Sequence, residues 1–437
     1  MNQINKDTIY DIIGVGIGPF NLGLAALLEP ISEIKALFLE QKQEFAWHPG
    51  LLIESATIQV PFLADVVTMA DPTSKYSFLN YLKEHSRLYH FYFWEDFHIL
   101  RNEYNYYCQW VSQQLKNCKF GQQVKEINWL ETEKLFAVKT NNFDQIFYSQ
   151  NLVLGVGSTP KLPPCFQGTK SERIFHSSQF LQHREIPRQS KSITVVGSGQ
   201  SAAEIFYELL QEQEIYNYEI TWCTRAAGFL PMEYSKLGLE HFSPDYIHYF
   251  YNLSPAQKDS LIQKQDLLYK GISSQTIAQI YDLIYQRSIG NKYPKIKLVS
   301  GVEVKEVKEI NHQYHLTFRH SFQDERWTQI SDCVILGTGY NHAIPKCMQN
   351  LHHLIAWDEK GRFPVNFNYQ LTCNADIPNR IFVQNAELHT HGVGAPDLGL
   401  GCYRNSVIIN TLLGKEIYPV RAQNVFQKFG LPHEMFA

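Results

Sequence analysis

The sequence lacks the features that mark membrane proteins, secreted proteins and nucleic-acid-binding proteins. None of its apolar runs approaches the roughly 18 residues that a membrane-spanning helix needs. The amino-terminal segment is polar, so we expect no secretory signal, no membrane contact and a cytoplasmic location. The charge is nearly balanced, with 39 Lys and Arg against 43 Asp and Glu, and no basic block occurs. We therefore expect no nucleic acid as a partner.

The eight cysteines are scattered, and none forms a C-x-x-C or C-x4-C pair. This pattern excludes the redox-active disulfide of disulfide reductases, gives no support for a structural zinc site and suits a reducing compartment. His389 and His391 could ligate a metal, but no acidic or cysteine partner has matching spacing. We expect a structural turn before Gly392 there, and no metal site.

What is present is a chain of 437 residues with 44% apolar and 14% aromatic residues, which predicts two or three globular domains. Buried strands run into glycine turns at residues 12–14, 193–197 and 334–337. Strands that alternate with helical segments are typical of parallel sheets covered by helices. Apolar spacing predicts helices at residues 256–264 and 274–287, within a helical insertion at about residues 240–290.

The first glycine turn carries a dinucleotide-binding pattern. Gly14, Gly16 and Gly18 follow a strand and precede an apolar helical segment, and Pro19 takes the last position of the usual G-x-G-x-x-G pattern. Such glycines allow a tight turn and let a pyrophosphate approach N–H groups at a helix N-terminus. The next strand ends in Glu40, where a carboxylate binds both ribose hydroxyls and disfavours a 2′-phosphate. This site suits FAD or NAD.

A second glycine turn has the same pattern, with Ala202 in the third-glycine position. Its residues are Gly197, Ser198, Gly199, Gln200 and Ser201. The strand that follows, at residues 219–224, ends in Arg225 rather than in an acid. A cation at this position complements a 2′-phosphate, so the second site prefers NADP(H).

Two such patterns with opposite charge at the ribose position imply an enzyme that moves hydride from NADPH to a flavin. We predict an α/β fold of two Rossmann-like dinucleotide-binding domains, for FAD and NADPH, with a small helical substrate-binding part. The FAD domain is predicted at residues 1–188 and 329–437, the latter including a carboxy-terminal substrate-lining segment, and the NADPH domain at 189–328. The segments 151–160 and 336–340 are predicted as crossings between the domains, with ordinary strand-end glycines as the alternative.

Together with several shorter motifs, these turns resemble one family from about residue 9 to residue 418. The shorter motifs are Phe45-Ala46-Trp47-His48-Pro49-Gly50, Gln59-Val60-Pro61-Phe62-Leu63, Asp71-Pro72-Thr73-Ser74, Tyr76-Ser77-Phe78-Leu79-Asn80-Tyr81-Leu82, Gly337-Thr338-Gly339-Tyr340 and His389-Thr390-His391-Gly392. In their order, they resemble the flavin-dependent N-hydroxylating monooxygenases of the lysine/ornithine N-monooxygenase type, which act in hydroxamate siderophore biosynthesis.

The resemblance implies FAD, NADPH, O2 and a small-molecule primary amine as reaction partners. It implies that reduced flavin captures O2 as a C4a-hydroperoxyflavin and that a neutral amine attacks the distal oxygen, giving a hydroxylamine. The cofactor carries this chemistry, so we expect no catalytic nucleophile. Members of the family are often oligomers, so a homo-oligomer, with a tetramer as one form, is expected. By resemblance, the residues at or near the flavin include Phe20, Asn21, Trp47, His48, Gln59 and Leu398.

For Trp47 and His48, plain core packing is the alternative to a place beside the flavin. The aromatic-rich segment at residues 88–107 is open between an interface and a core. Baeyer–Villiger and sulfide monooxygenases share the two-nucleotide architecture but carry a different motif between the glycine turns.

Three positions depart from the amino-acid hydroxylases of the family. Ala64 replaces a lysine that pairs with the substrate's α-carboxylate, Gly399 replaces a serine that contacts substrate, and Leu239 stands where the ornithine type has an asparagine. All three departures remove polar groups from the amino-acid end of the site. The hypothesis is therefore a primary amine without an α-carboxylate, with putrescine or cadaverine favoured.

Asp397, or with less support Glu240, is predicted to pair with the distal ammonium of such an amine. A turn-capping carboxylate is an equal alternative for Asp397. Histamine is the nearest competing substrate, because an aromatic-rich site could stack an imidazole. L-Lysine and L-ornithine are the further alternatives.

Overall fold

The computed structural model describes residues 9–142, 145–169, 171–374 and 377–431. Its strands are β1 (Ile9–Val15), β2 (Ala36–Leu39), β3 (Cys118–Lys119), β4 (Val124–Leu130), β5 (Leu135–Thr140), β6 (Ile146–Leu154), β7 (Thr159–Pro160), β8 (Ile174–His176), β9 (Ser192–Val196), β10 (Glu219–Cys223), β11 (Ile296–Val299), β12 (Val302–Ile310), β13 (Gln313–His320), β14 (Arg326–Ser331), β15 (Cys333–Leu336), β16 (Tyr340–Asn341) and β17 (Ile381–Val383).

The α-helices are α1 (Pro19–Leu28), α2 (Phe78–Glu84), α3 (Leu88–Trp94), α4 (Arg101–Gln114), α5 (Glu185–Arg188), α6 (Gln200–Tyr216), α7 (Lys236–Leu239), α8 (Pro244–Tyr251), α9 (Pro255–Lys264), α10 (Ser274–Ser288), α11 (Leu388–His391) and α12 (Gly401–Leu413). Short 3-10 turns lie at Pro49–Leu51, Pro164–Phe166, Ser177–Gln179, Leu181–His183, Asp266–Leu268, Lys346–Leu354 and Leu398–Leu400. None of the helices in the described residues is long and apolar enough to cross a bilayer.

The first sheet has the strand order β3-β2-β1-β6-β5-β4, with β17 also paired to β6. β1 pairs in parallel with β2 and β6, while β4, β5 and the start of β6 form an antiparallel meander. Successive residues of a strand point to opposite faces of the sheet. Ile12 therefore packs in the cluster that includes α1, α4 and α12, and Ile13 packs in the cluster that includes the meander.

The second sheet is parallel throughout, with the order β11-β10-β9-β15-β8. Ile193 and Ile335 pack beneath α6 and α10, whereas Val334 and Leu336 face the antiparallel sheet β12-β13-β14. A mixed sheet and a parallel sheet, each packed against helices on one face, confirm the predicted α/β class of fold.

The division into domains at residues 188 and 328 stays a prediction. Two strands that it assigns to the FAD domain, β8 and β15, pair within the second sheet instead. The end of β15 lies close against α6, since a Cβ on Gly337 would lie 2.7 Å from the Cβ of Ala202. The two predicted crossing segments meet each other, since β7 and β16 pair through Pro160 and Tyr340.

Helices α8, α9 and α10 lie in the segment predicted to be a helical insertion. Ser243, Ser254 and Ser273 each cap the N-terminus of one of these helices with a side-chain hydrogen bond. α8 buries Tyr246 and Phe250 against Val393, which follows α11. The insertion is thereby held against the segment that leads into α12.

Candidate active site

The first glycine turn is shaped by close backbone contacts. Gly16 has φ +87°, and a Cβ on it would lie 2.6 Å from the carbonyl oxygen of Gly155. A side chain on Gly14 would overlap the ring of Phe38. Gly18, in contrast, borders open space and precedes Pro19, the first residue of α1. The helix begins without a side-chain cap or an acid in its first turn, so its N–H groups are open to an anion.

Buried polar contacts hold this turn from behind. The amide of Asn21 donates to the carbonyl of Gly16 at 2.7 Å and accepts from Gln384 at 2.7 Å. Phe20 packs beneath the guanidinium of Arg404, whose central carbon lies 4.6 Å from the ring centroid. Asn21 thus fixes the turn, while Phe20 joins it to α12.

Glu40 reaches the same turn from the end of β2. One carboxylate oxygen accepts from the N–H of Ile17 at 2.8 Å, and the other accepts from the N–H of Lys42 at 3.0 Å. The residue is 8% exposed. The predicted ribose-binding acid and the glycine turn therefore form one unit, as a dinucleotide site requires.

The second glycine turn repeats this design. Gly197 has φ +139°, and a side chain on it would overlap the carbonyl of Gly337. Gly199 precedes α6, which also begins without a side-chain cap or an acid, and a Cβ there would meet only the carbonyl of Lys270, at 3.6 Å. Ser198 and Ser201 flank this opening and are partly exposed.

Gln200 and Arg225 of this second site differ in whether the protein already binds their side chains. The side chain of Gln200 is bound by the protein, because it donates to Glu204 and Thr276 at 3.0 Å and accepts from the N–H of Ser273 at 2.7 Å. Arg225 is exposed just beyond β10 and has no hydrogen-bond or ion-pair partner among the described residues. Arg225 is therefore free to bind an anion.

An aromatic group borders the region between the two sheets. Trp47 packs edge-on against Tyr104 at 5.1 Å and against His48 at 4.9 Å, and the ring of His48 lies 6.0 Å from that of Tyr340. His48 itself is exposed to solvent at the side of this group. Partial desolvation by the surrounding protein, together with the charges of Arg101 and Lys42, lowers the pKa of His48 below its usual value. Its imidazole is therefore neutral at pH 7.

Leu398 lies close to the first glycine turn. It lines a small cavity together with Pro19, Phe20 and Tyr104. Through Tyr104, this cavity is continuous with the packing of Trp47. The structure thus brings together residues that are more than 350 positions apart in the sequence and that the family resemblance places around one cofactor.

Gln59 lies at the junction of the two halves of the molecule. Its backbone carbonyl accepts a hydrogen bond from the hydroxyl of Tyr234 at 2.8 Å, and its side-chain oxygen lies 3.3 Å from the same hydroxyl. Its amide group donates to the carbonyl of Thr57 at 3.3 Å.

Three of the predicted substrate positions converge. A Cβ on Gly399 would lie 3.9 Å from the Cβ of Ala64 and 2.9 Å from a carboxylate oxygen of Asp397. That oxygen accepts from the N–H of Gly399 at 2.8 Å, so Asp397 caps the turn Leu398–Leu400. Desolvation raises the pKa of Asp397 to about 6, although the N–H groups of Gly399 and Leu400 oppose the shift.

The other two predicted substrate residues lie on a different element. Leu239 ends α7 and is 39% exposed. Glu240 accepts from the N–H of Phe426 at 3.1 Å and from that of Gln427 at 2.9 Å, and the second of these bonds lowers its pKa most. The carboxylate of Glu240 therefore binds the C-terminal segment.

Arg101, Glu204 and Tyr234 lie near the site and make contacts that the sequence does not predict. Arg101 of α4 forms a two-pronged ion pair with Glu204 of α6, at 2.7 and 3.0 Å. Tyr234 bonds Gln59 across 175 positions. No local pattern signals either contact, because each depends on how distant elements pack.

His389 and His391 each bind a backbone carbonyl, those of Phe363 and Phe367, at 2.8 and 3.3 Å. Burial lowers the pKa of both, for His391 to about 3. Within the described ranges no group of three His, Cys, Asp or Glu side chains could hold a metal ion.

Comparisons with known proteins agree with this arrangement. The family model described as L-lysine 6-monooxygenase/L-ornithine 5-monooxygenase matches residues 8–342. The putrescine N-hydroxylase of Shewanella oneidensis is 45% identical over 426 residues, which cover 97% of this chain and 84% of that protein.

Solved structures extend the likeness to the fold. The cadaverine monooxygenase of the desferrioxamine pathway from Erwinia amylovora, bound to FAD, is 42% identical with a TM-score of 0.93, covering 98% of this chain and 100% of that chain. The ornithine N-hydroxylase of Kutzneria sp. 744, with reduced FAD, NADP+ and L-ornithine, is 25% identical with a TM-score of 0.87, covering 93% and 99%.

Proposed function

The chain belongs to the L-lysine 6-monooxygenase/L-ornithine 5-monooxygenase family, and we propose that it N-hydroxylates a diamine that carries no α-carboxylate. Putrescine or cadaverine is the favoured substrate, in the biosynthesis of a hydroxamate-type siderophore. The protein is an FAD-dependent amine N-monooxygenase that consumes NADPH and O2. Both relatives with more than 40% identity described above act on diamines, according to their names.

One observation carries the choice of substrate: Ala64, Gly399 and Asp397 lie together. The methyl group of Ala64 and the bare backbone of Gly399 offer no cation or hydroxyl to a substrate carboxylate. Asp397 instead supplies a carboxylate, which pairs with an ammonium rather than with a carboxylate. This combination suits the far end of a diamine and disfavours an α-amino acid.

The two open helix N-termini supply the cofactor sites in this proposal. Gly14, Gly16, Gly18 and Pro19 cradle the pyrophosphate of FAD, with Glu40 on its ribose. Gly197, Gly199 and the N-terminus of α6 take NADPH, with Arg225 on the 2′-phosphate. Open space beside Gly18, the single van der Waals neighbour of Gly199 and the absence of a partner for Arg225 in the described structure support this assignment.

The residues act mainly by positioning and by excluding water. Bound FAD, once reduced by NADPH, supplies the oxygen-activating chemistry. Asp397 holds the distal ammonium, which leaves the other nitrogen free to approach the flavin as a neutral amine. Gln59, Trp47 and His48 border the flavin side, and the neutral ring of His48 adds no charge beside it.

Hydroxylamine formation with putrescine, cadaverine, histamine, L-lysine and L-ornithine tests the proposal. We expect the highest kcat/KM with one of the two diamines. NADPH oxidation must be measured beside the hydroxylamine, because uncoupled turnover releases peroxide and also consumes NADPH. Dominant activity with lysine or ornithine would overturn the argument from Ala64 and Gly399, and dominant activity with histamine would overturn the assignment to diamines.

A homo-oligomer formed through α3 is part of the proposal. This helix buries none of its residues, and an aromatic surface of Tyr89, Tyr92, Phe93, Trp94 and Phe97 is 42–78% exposed. At about 200 Å² per aromatic side chain, it offers roughly 600 Å², close to the about 800 Å² per partner of a stable interface. Exposed Lys83 and Glu95 flank the helix, so antiparallel copies of α3 set opposite charges together.

Sedimentation velocity of the FAD-loaded protein tests the interface. Phe93→Lys is expected to shift the oligomer to monomers, whereas Phe322→Lys, at an equally exposed ring on a hairpin, leaves it intact. A tetramer requires a second surface, and α10 exposes Tyr281 and Tyr285 for it. A monomeric wild-type protein at micromolar concentration would refute the proposal.

We also place the enzyme in the cytoplasm. All eight cysteines are free, and five of them are buried, which suits a reducing compartment that also supplies NADPH. Fractionation of cells that express the chain tests this location, and recovery in an exported fraction would contradict it.

A further inference from the structure

We infer that Tyr234 is a positioning residue that holds the NADPH-binding half against Gln59 on the flavin side. By doing so, it couples NADPH oxidation to hydroxylation of the amine. The inference rests on the proposed function and extends it to a residue with no assigned role. Tyr234 lies in the loop between β10 and α7, which starts at the carboxyl end of the parallel strands of the second sheet. Ligands of such sheets bind at the carboxyl ends of the strands.

The backbone that carries Tyr234 is fixed within its own half of the molecule. The N–H of Met232 donates to the carbonyl of Ile272 at 2.8 Å, and the N–H of Ile272 donates to that of Leu230 at 3.1 Å. A Cβ on Gly271 would overlap the backbone of Met232, so the two segments lie in direct contact. Tyr234 therefore extends from a rigid support.

Its side chain crosses to the other half. The hydroxyl donates to the carbonyl of Gln59 at 2.8 Å and lies 3.3 Å from the Gln59 side-chain oxygen. Gln59 belongs to the loop that continues through Phe62 to Ala64, the position that borders Gly399. One hydroxyl thus connects the NADPH-binding half to the loop that the proposal places beside both flavin and amine.

The charge of Asp397, the acid that is proposed to hold the amine, also acts on Tyr234. Burial raises the pKa of Tyr234 to about 12, with a further contribution from the negative charge of Asp397. The phenol is therefore protonated at all physiological pH values and remains a donor to Gln59.

The segment from Tyr234 to Glu240 is held at its far end as well. Glu240 binds the N–H groups of Phe426 and Gln427. The chain before these residues is anchored to α1, because the hydroxyl of Tyr418 donates to the carbonyl of Leu27 at 2.7 Å. Both ends of the segment are thus hydrogen-bonded to the flavin-binding half, at Gln59 and at residues 426–427.

Tyr234→Phe removes the hydroxyl and keeps the ring. Loss of one neutral hydrogen bond is worth about a fivefold effect, so we expect the KM for putrescine to rise about fivefold. The maximal rate of NADPH oxidation should change less than about twofold, while the share of NADPH that ends as hydrogen peroxide rises at least about threefold. A purely structural role would not separate these quantities.

Tyr218→Phe is the matched control. Its hydroxyl also donates to a backbone carbonyl, that of Leu209 at 2.7 Å, but it lies in the core beneath the second sheet. This variant should lose some stability and keep the wild-type KM and coupling. Comparable uncoupling in both variants would overturn the inference.

Hydrogen–deuterium exchange of the FAD-loaded proteins supplies a readout that needs no turnover. In Tyr234→Phe, peptides that cover residues 55–64 and 230–240 should exchange at least about threefold faster, whereas Tyr218→Phe leaves them unchanged. Unaltered exchange together with unaltered coupling would refute the role of Tyr234. If the wild-type protein hydroxylates none of the five amines, the proposed function fails, and the exchange measurement alone decides whether Tyr234 fastens the two halves.

Discussion

Asp397 is the residue on which the proposed choice of substrate depends most. Its carboxylate caps a turn and lies beside Ala64 and Gly399, so the two roles predicted for it, capping and ammonium binding, are compatible in one geometry. A carboxylate has lone pairs for two N–H donors and for an ammonium as well. Capping also fixes the orientation in which the acid meets the amine.

The pKa of Asp397, raised to about 6, predicts a pH dependence. As the pH falls through 6, the carboxylate gains a proton and loses the charge that holds the ammonium. We expect kcat/KM for putrescine to fall about tenfold per pH unit below this value. A pH–rate profile of hydroxylamine formation between pH 5 and 8 measures the effect.

Substitutions show which residue causes the fall of kcat/KM below pH 6, the acidic limb of that profile. Asp397→Asn should lower kcat/KM at pH 7.5 by about 10- to 100-fold, the range for a hydrogen bond to a charged group, and should abolish the limb. Glu240→Gln is the control, because Glu240 binds the C-terminal segment. If Glu240→Gln removes the limb and Asp397→Asn retains it, the assignment is wrong.

Arg225 should decide which nicotinamide cofactor the enzyme uses. Its exposed guanidinium has no partner in the described part of the chain, so its loss should leave the fold intact. Arg225→Ala should raise the KM for NADPH about tenfold or more and leave that for NADH nearly unchanged.

Arg173→Ala offers a matched comparison for this experiment. Arg173 is also exposed, but it precedes β8 at the opposite edge of the second sheet. Its removal should leave the KM for NADPH and the KM for NADH unchanged. Equal losses with NADPH and NADH in Arg225→Ala would contradict recognition of a 2′-phosphate.

At the scale of elements, the contact between α4 and α6 links the two sheets. Arg101 and Glu204 are buried, and Arg101 also donates to the carbonyl of Leu51 at 2.7 Å. Removing one member leaves the other charge buried without its partner, which costs about 3–5 kcal/mol. Arg101→Met should therefore lower the free energy of unfolding by about that amount, as measured by denaturant titration.

The exposed pair of Lys75 and Glu29 provides the control for that measurement. Its side chains are 62% and 38% exposed, so Lys75→Met should change the free energy of unfolding by less than about 1 kcal/mol. Similar losses of unfolding free energy in the two variants would show that the α4–α6 ion pair stabilises the protein no more than an exposed pair does.

Local patterns predicted elements well and contacts between elements poorly. The strands at 12–14, 193–197 and 334–337 are found in β1, β9 and β15, and the predicted helices at 256–264 and 274–287 match α9 and α10 within a residue. Apolar runs and glycine turns are local signals, so these predictions were confirmed. Which sheet receives β8, and what Tyr234 contacts, depend on packing across more than 100 positions.

The aromatic segment at 88–107 shows the same limit within a single stretch. Tyr104 and Tyr107 of α4 are buried, whereas Tyr89 and Phe93 of α3 are 75–78% exposed. Both helices are rich in aromatic residues, so composition gave no means to tell them apart. Burial is decided by the position of each helix on the first sheet: α4 packs against α1, whereas α3 contributes only the half-buried Phe91 to the edge of the core.

For the whole molecule, cofactor binding and folding are coupled. The first glycine turn contacts Phe38 of β2 and Gly155 just after β6, and Phe20 beside the turn contacts Arg404 of α12, so a ligand held by this turn stabilises the junction of these elements. A ligand that binds only the folded state raises stability by about 2.7 kcal/mol at 100 times its Kd. FAD should therefore raise the Tm of the protein.

Gly18→Ser tests this coupling at one position. Gly18 has φ −89° and borders open space, and serine is a good N-cap, so the FAD-free variant should unfold at the wild-type temperature or slightly above. Its side chain fills the space assigned to the pyrophosphate, so the rise in Tm on adding FAD should shrink by more than half. Gly16→Ala is the contrast, because its positive φ and the nearby Gly155 carbonyl make it unfold earlier even without FAD. Calorimetric scans with and without FAD separate the two effects, and a full FAD response in Gly18→Ser would remove the first glycine turn from the cofactor site.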